Sequence, residues 1–276
     1  MRIPTVGSGP PLVLLHGWAM HSGIFAPLVE RLRARFTLHL VDLPGHGVNR
    51  DSPLDLDLAS VAAAVAAHTP PATWLGWSLG GLVALHAAQT RPQSVRGLVM
   101  LCASPRFVRA PDWPQGMDPI VFETFARELA RDYRGTIDRF LMLEAQGSDH
   151  VREELRLLRA QVFAVCEPSP ERLAEGLAVL QGSDLRSDLP TLAMPSLWIA
   201  GRRPALPAET PGGRAARTAT SWAPAAPATS RASRSVRAVR AHRRAPRRPA
   251  RRAPALPRAG RGSPRARGRS RTPRAR

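Results

Sequence analysis

Short apolar runs closed by turns alternate with helix-period segments over the first hundred residues, and this rhythm leaves few folds open. Residues 11–16 (Pro-Leu-Val-Leu-Leu-His) run into Gly17, Phe36–Val41 closes on Asp42-Leu43-Pro44-Gly45, and Thr73–Trp77 and Gly97–Cys102 follow. Continuous apolar runs of this length suit strands buried on both faces. Between them Ile24, Leu28, Val29 and Leu32 recur at helical spacing within residues 24–35, Leu58–Ala67 is an Ala/Val-rich helix, and Leu79–Gln89 is expected to be another. Such alternation predicts an α/β fold, doubly wound around a mostly parallel sheet with helices on both faces.

From residue 104 to about residue 184 the pattern changes to amphipathic helical stretches (Val121–Tyr133, Thr136–Leu143, Val151–Val165, Pro170–Leu180), read as a helical lid. The strand rhythm resumes at Met194–Gly201 and then stops. The expected organisation is a core in residues 1–103, a lid in 104–184, a core strand in 185–201 and a tail in 202–276. The tail is almost entirely Arg, Ala, Pro, Gly, Ser and Thr, with Trp222 its one aromatic residue. A segment so poor in apolar side chains cannot offset its ordering entropy, so disorder is expected there.

The formal net charge of +19 suggests a nucleic-acid or membrane partner until it is located along the chain. Residues 1–200 hold 18 Arg and 20 acids, whereas residues 201–276 hold the other 22 Arg and one acid, Glu209. The charge is a property of the tail, and nucleic-acid binding is expected only non-specifically and only there. Cys102 and Cys166 fall at a strand and a helix end, which predicts two buried thiols rather than a disulfide. No export signal or stretch of ~20 apolar residues is present. A cytoplasmic protein without membrane contact is therefore expected.

Gly76-Trp77-Ser78-Leu79-Gly80 matches G-x-S-x-G where that motif has mechanical meaning, between an expected strand and an expected helix. Glycines permit a tight strand-to-helix turn that lifts a serine hydroxyl above the sheet, and a helix N-terminus aims backbone N–H groups at a developing oxyanion. Ser78 is the candidate nucleophile. His16-Gly17-Trp18 follows the first long strand, where a second oxyanion donor belongs, so the expected hole is the backbone N–H of Trp18 and of Leu79. Asp42–Gly47 reads as a structural turn.

The words around these motifs are more specific. Leu14-Leu15-His16-Gly17-Trp18, the run Thr37–Gly47, and Trp74-Leu75-Gly76-Trp77-Ser78-Leu79-Gly80-Gly81-Leu82-Val83-Ala84 resemble the pimeloyl-ACP methyl ester carboxylesterases. The similarity extends from about Val13 to Gly201, through Ala103-Ser104-Pro105 and Asp112-Trp113-Pro114. The resemblance implies an α/β-hydrolase core with a helical lid, cleaving a methyl ester from a dicarboxylic acyl chain carried on acyl carrier protein, without a metal or organic cofactor. It further implies that Arg139-Phe140-Leu141-Met142-Leu143-Glu144 supplies an acyl-chain wall, with Phe140, Leu143 and Glu144 facing substrate. For Phe140, lid core is an equal alternative. Arg139, Arg152 and Arg156 are candidates for the acidic carrier protein, with solvated helix faces as the alternative.

The chain departs from that family beyond Gly201. A serine nucleophile needs a histidine base and an acid to orient it, following in the order Ser, Asp, His. The acid is expected just past the last strand, where this chain has Pro204, and no G-H-A-P-F-like loop follows. His16, His21, His39, His46 and His68 precede the serine, His86 sits in the helix after it, His150 in the lid, and His242 among arginines that would depress its pKa. No catalytic Asp or His is identifiable. A shifted reading frame accounts for the simultaneous loss of periodicity, acids, aromatics and triad, since GC-rich DNA read out of frame yields Arg, Ala, Pro and Gly. Two alternatives are another small-ester or lactone hydrolase and, from a different class, a nucleic-acid binder acting through the tail; Ser78 argues against an aspartate-nucleophile dehalogenase.

Overall fold

The computed structural model describes residues 1–144, 151–162 and 167–200. The expected tail, Gly201, Pro204, His242, His150 and Cys166 lie outside the described residues. Six strands form one sheet: β1 (Thr5–Gly7), β2 (Pro11–Leu15), β3 (Thr37–Val41), β4 (Ala72–Trp77), β5 (Val95–Leu101) and β6 (Ser196–Ile199), in the order β1-β3-β2-β4-β5-β6. Only β1 runs antiparallel, against β3; every other pairing is parallel.

The period-2 geometry of β2 shows why both faces need cover. Leu12 and Leu14 pack with Phe25 and Leu38, and with Leu28, Val29 and Leu32 of α1 (Ala26–Leu32). Val13 and Leu15 face the larger cluster, with Val61 and Val65 of α2 (Leu58–His68) and Leu82 and Leu85 of α3 (Leu79–Thr90). At about 25 cal/mol per Å² of buried apolar surface, this two-sided burial is the main force holding the sheet.

Four helices separate β5 from β6: α4 (Pro119–Leu129), α5 (Tyr133–Glu144), α6 (Val151–Val162) and α7 (Pro170–Gly182). Two of them start on paired signals, Asp118 before Pro119 and Ser169 before Pro170, each side chain accepting a first-turn N–H. Helix α7 is tied to the core. Ser169 N–H donates to Gly45 O at 2.8 Å, Leu56 N–H donates to Glu175 Oε2 at 2.8 Å, and Arg172 pairs with Asp55 at 2.7 Å.

Three local expectations are corrected. Strand β1 was not anticipated, because three residues between Pro4 and Gly9 are too short to show a period. The helix expected over residues 24–35 begins as a 3₁₀ turn (Ser22–Phe25) and becomes α-helical only at Ala26, beside Pro27, ending at Leu32. Cys102 is exposed rather than buried: β5 ends at Leu101, and Cys102 turns the chain with φ 44°. Its N–H still donates to Ile199 O of β6 at 2.7 Å.

Candidate active site

Ser78 sits between β4 and α3 with φ 52° and ψ −116°, a conformation that non-glycine residues seldom adopt. The surroundings over-determine it. Ser78 N–H donates to Leu101 O at 3.1 Å, and Gly81 N–H closes the turn onto Ser78 O at 2.9 Å. A Cβ on Gly76 would lie 2.2 Å from Gly80 O, and one on Gly80 would lie 2.4 Å from Leu15 O, so both positions must be glycine for the helix to start so close to the sheet. Ser78 itself is only 4% exposed.

The turn after β2 abuts this elbow. A Cβ on Gly17 would lie 3.3 Å from Ser78 Cβ. Met20 N–H donates to Gly17 O at 3.2 Å, which makes Gly17–Met20 a β-turn with Ala19 at φ 61°, as type II geometry demands at that position. Ala19, Ser78 and Cys102, the non-glycine residues with positive φ among those described, follow β2, β4 and β5 at one rim of the sheet. Concentration of backbone strain at one rim is a feature of functional sites. Among the described residues neither Trp18 N–H nor Leu79 N–H donates in a turn or cap bond to the backbone. The Trp18 indole points away into the lid, donating from Nε1 to Leu173 O at 2.8 Å.

No histidine or carboxylate hydrogen-bonds to the Ser78 hydroxyl among the described residues. Five of the described histidines, His16, His21, His39, His46 and His68, have other partners. His16 is fully buried; its Nε2 accepts from Leu43 N–H at 2.9 Å and its Nδ1 meets Gly17 O at 2.8 Å. Burial lowers its pKa to about 4, against the opposing charge of Asp42, so the ring is neutral at neutral pH. His46, 5.2 Å away ring to ring, bonds Pro44 O through Nδ1, and burial lowers it to about 3. His39 meets Thr5 Oγ1, and His68 meets Ala64 O. Asp42 accepts from Ser22 N–H at 2.6 Å and Val48 N–H at 2.8 Å, bracing its own loop. The His16–His46 pair beneath the turn is the feature that sequence reasoning missed; its one linear signal was a histidine before each glycine, His16-Gly17 and His46-Gly47.

The lid residues separate. Phe140 is buried with its ring edge-on to Trp18 at 4.8 Å and 6.2 Å from Phe125, so its contacts are those of a packed core that reaches the Gly17–Met20 turn through Trp18. Leu143 packs partly buried against the same cluster. Glu144 ends α5, and its side chain is outside the description. Arg139 pairs within the lid, with Glu128 at 2.9 Å and Asp132 at 3.6 Å, whereas Arg152 and Arg156 lie exposed on α6. No helix among the described residues is long and apolar enough to cross a membrane.

Comparison with known proteins agrees with this geometry. The family model described as "alpha/beta hydrolase fold" matches residues 10–206. A protein of Xanthomonas oryzae pv. oryzae (strain MAFF 311018) named pimeloyl-[acyl-carrier protein] methyl ester esterase is 61% identical over 203 residues, covering 74% of this chain and 80% of the relative. One of the same name from Stenotrophomonas maltophilia (strain R551-3) is 59% identical, covering 74% and 78%. Among solved structures, an esterase from Exiguobacterium antarcticum superimposes with TM-score 0.64 at 23% identity, covering 71% of this chain and 75% of that one, a likeness of fold.

Proposed function

Because this chain belongs to the α/β-hydrolase fold family, and within it to the pimeloyl-[acyl-carrier protein] methyl ester esterases, we propose that its chemistry is ester hydrolysis through a serine acyl-enzyme on Ser78. The observation that carries this reading is the strained elbow of Ser78 against Gly17, with Trp18 N–H and Leu79 N–H making no turn or cap bond among the described residues. Ser78 Oγ attacks the ester carbonyl, the negative charge builds on the carbonyl oxygen at those amides, and the methoxy group leaves as methanol. Water then hydrolyses the acyl-enzyme. The substrate is a methyl ester of a dicarboxylic acyl chain on acyl carrier protein, its chain running beneath Phe140 and Leu143. Carrier-protein contact falls to exposed Arg152 and Arg156, since Arg139 is already neutralised by Glu128 and Asp132.

This chain as written is an impaired member of its family. The triad Asp and His have no counterpart at their expected places, Pro204 standing where the acid belongs, and the change of composition after Gly201 supports a shifted reading frame as the cause. Without a base, a serine hydrolase retains only what the oxyanion donors and binding supply, roughly 10³–10⁴ over water. The test is hydrolysis of short p-nitrophenyl esters by the full chain and by Ser78→Ala. The expected result is negligible turnover, with a small Ser78-dependent remainder; turnover near that of the relatives, abolished by Ser78→Ala, overturns the impairment. Sequencing the gene across the codons for Ile199 to Pro207 tests its cause, and an intact frame there excludes a shift.

A further inference from the structure

The buried His16 is not explained by burial of apolar surface, and its two ring nitrogens have separate jobs. Nε2 accepts from Leu43 N–H at 2.9 Å, so that nitrogen carries no proton. In a neutral imidazole the proton must then be on Nδ1, which therefore donates to Gly17 O, 2.8 Å away. Gly17 O also receives Met20 N–H at 3.2 Å. In a planar trans peptide the carbonyl and the following N–H point to opposite edges. Holding Gly17 O on the His16 side therefore turns Trp18 N–H the other way, and the turn that carries it abuts Ser78.

We propose that His16 is a positioning residue: its Nδ1–H fixes the Gly17–Trp18 peptide so that Trp18 N–H is presented as an oxyanion donor, while its Nε2 anchors the ring to the Leu43 loop. This rests on the acyl-enzyme reading for its catalytic consequence, but the geometric half stands independently of it. A turn with a non-glycine residue at φ 61° competes with alternatives of lower strain, and the histidine bond selects among them. His46 packs against His16 with ring centroids 5.2 Å apart.

The two roles are separable by substitution. Asparagine places an N–H near Nδ1 but has nothing at Nε2, whereas glutamine offers an acceptor near Nε2 and leaves Gly17 O without its donor. Crystal structures of the wild-type chain, His16→Asn and His16→Gln read the peptide orientation directly, and the Ser78-dependent rate with p-nitrophenyl acetate at alkaline pH, each measured against its Ser78→Ala counterpart, reads the consequence. In His16→Asn the peptide is expected to keep its orientation and the rate to stay within about threefold of wild type. In His16→Gln the peptide is expected to turn and the Ser78-dependent rate to fall on the order of 10²-fold, as when an oxyanion donor is removed. Should Gly17 O keep its direction in His16→Gln, the positioning role is overturned. A turned peptide in His16→Gln with an unchanged Ser78-dependent rate overturns instead the assignment of Trp18 N–H to the oxyanion. Loss of folding in both variants, read by circular dichroism, identifies His16 as structural only and overturns the proposal.

Discussion

Strands β4 and β6 are parallel members of one sheet that end at the same rim, yet they differ in what surrounds them. β4 lies between β2 and β5, its Trp74 is fully buried, and the turn at its end leaves no room for a Cβ at Gly76 or Gly80 and is tied to Leu101 O of β5 through Ser78 N–H. β6 pairs with β5 alone among the described residues, and Leu197 on it is 51% exposed. The contrast teaches that a strand end can hold a chemically exact geometry only where the strand is covered on both faces and paired on both edges. The elbow after β4 satisfies that condition, and β6, as far as the described residues go, does not.

The sharpest test of this contrast is Gly76→Ala. Its new Cβ would meet Gly80 backbone at 2.2 and 2.4 Å, where nothing flexible can yield. A loss beyond about 4 kcal/mol, or no folded protein, is expected in urea titration; a variant melting within a few degrees of wild type breaks the comparison. The next effect comes from acid. Burial lowers His16 to about 4 and His46 to about 3, so the unfolded chain takes up their protons first, near pH 6.5. Stability is then complete above about pH 6.5 and falls as pH drops towards the folded values, by up to about 1.4 kcal/mol per pH unit for each ring. Urea midpoints recorded between pH 7 and pH 4 for wild type and His46→Phe should converge at the acid end, and a flat wild-type profile refutes the assignment. The smallest effect belongs to β6: Leu197→Ala should cost under about 1 kcal/mol because half of that side chain is already in water. A cost of several kcal/mol by the same titration means that the edge is covered after all.

Much of the frame was legible in the linear pattern, for reasons that particular residues make plain. Val13 and Leu15 lie in a continuous apolar run buried on both faces, Trp74 in a strand with period-2 burial, and Gly76, Ser78 and Gly80 combine a turn signal with a strand before and a helix after. These are short-range signals. The two oxyanion candidates followed from the same local logic. What escaped were features that depend on distant partners: β1 exists because Thr5–Gly7 finds Thr37–His39, and the His16 ring is fixed by Leu43, 27 positions away. Cys102 was misread because an apolar run does not announce the residue at which the chain turns out of the sheet.

The bond from Cys102 N–H to Ile199 O, taken with that from Ser78 N–H to Leu101 O, links β6 to the Ser78 elbow through two adjacent residues of one segment. Local opening at β6 therefore bears on the elbow: once Ile199 lets go, Cys102 loses one of the ties of its left-handed turn, and Leu101 next to it carries the amide bond of Ser78. Amide protons at Cys102 and Ser78 should exchange with solvent in that order and on a shared opening event, so the lifetime of the elbow is set at the periphery of the sheet.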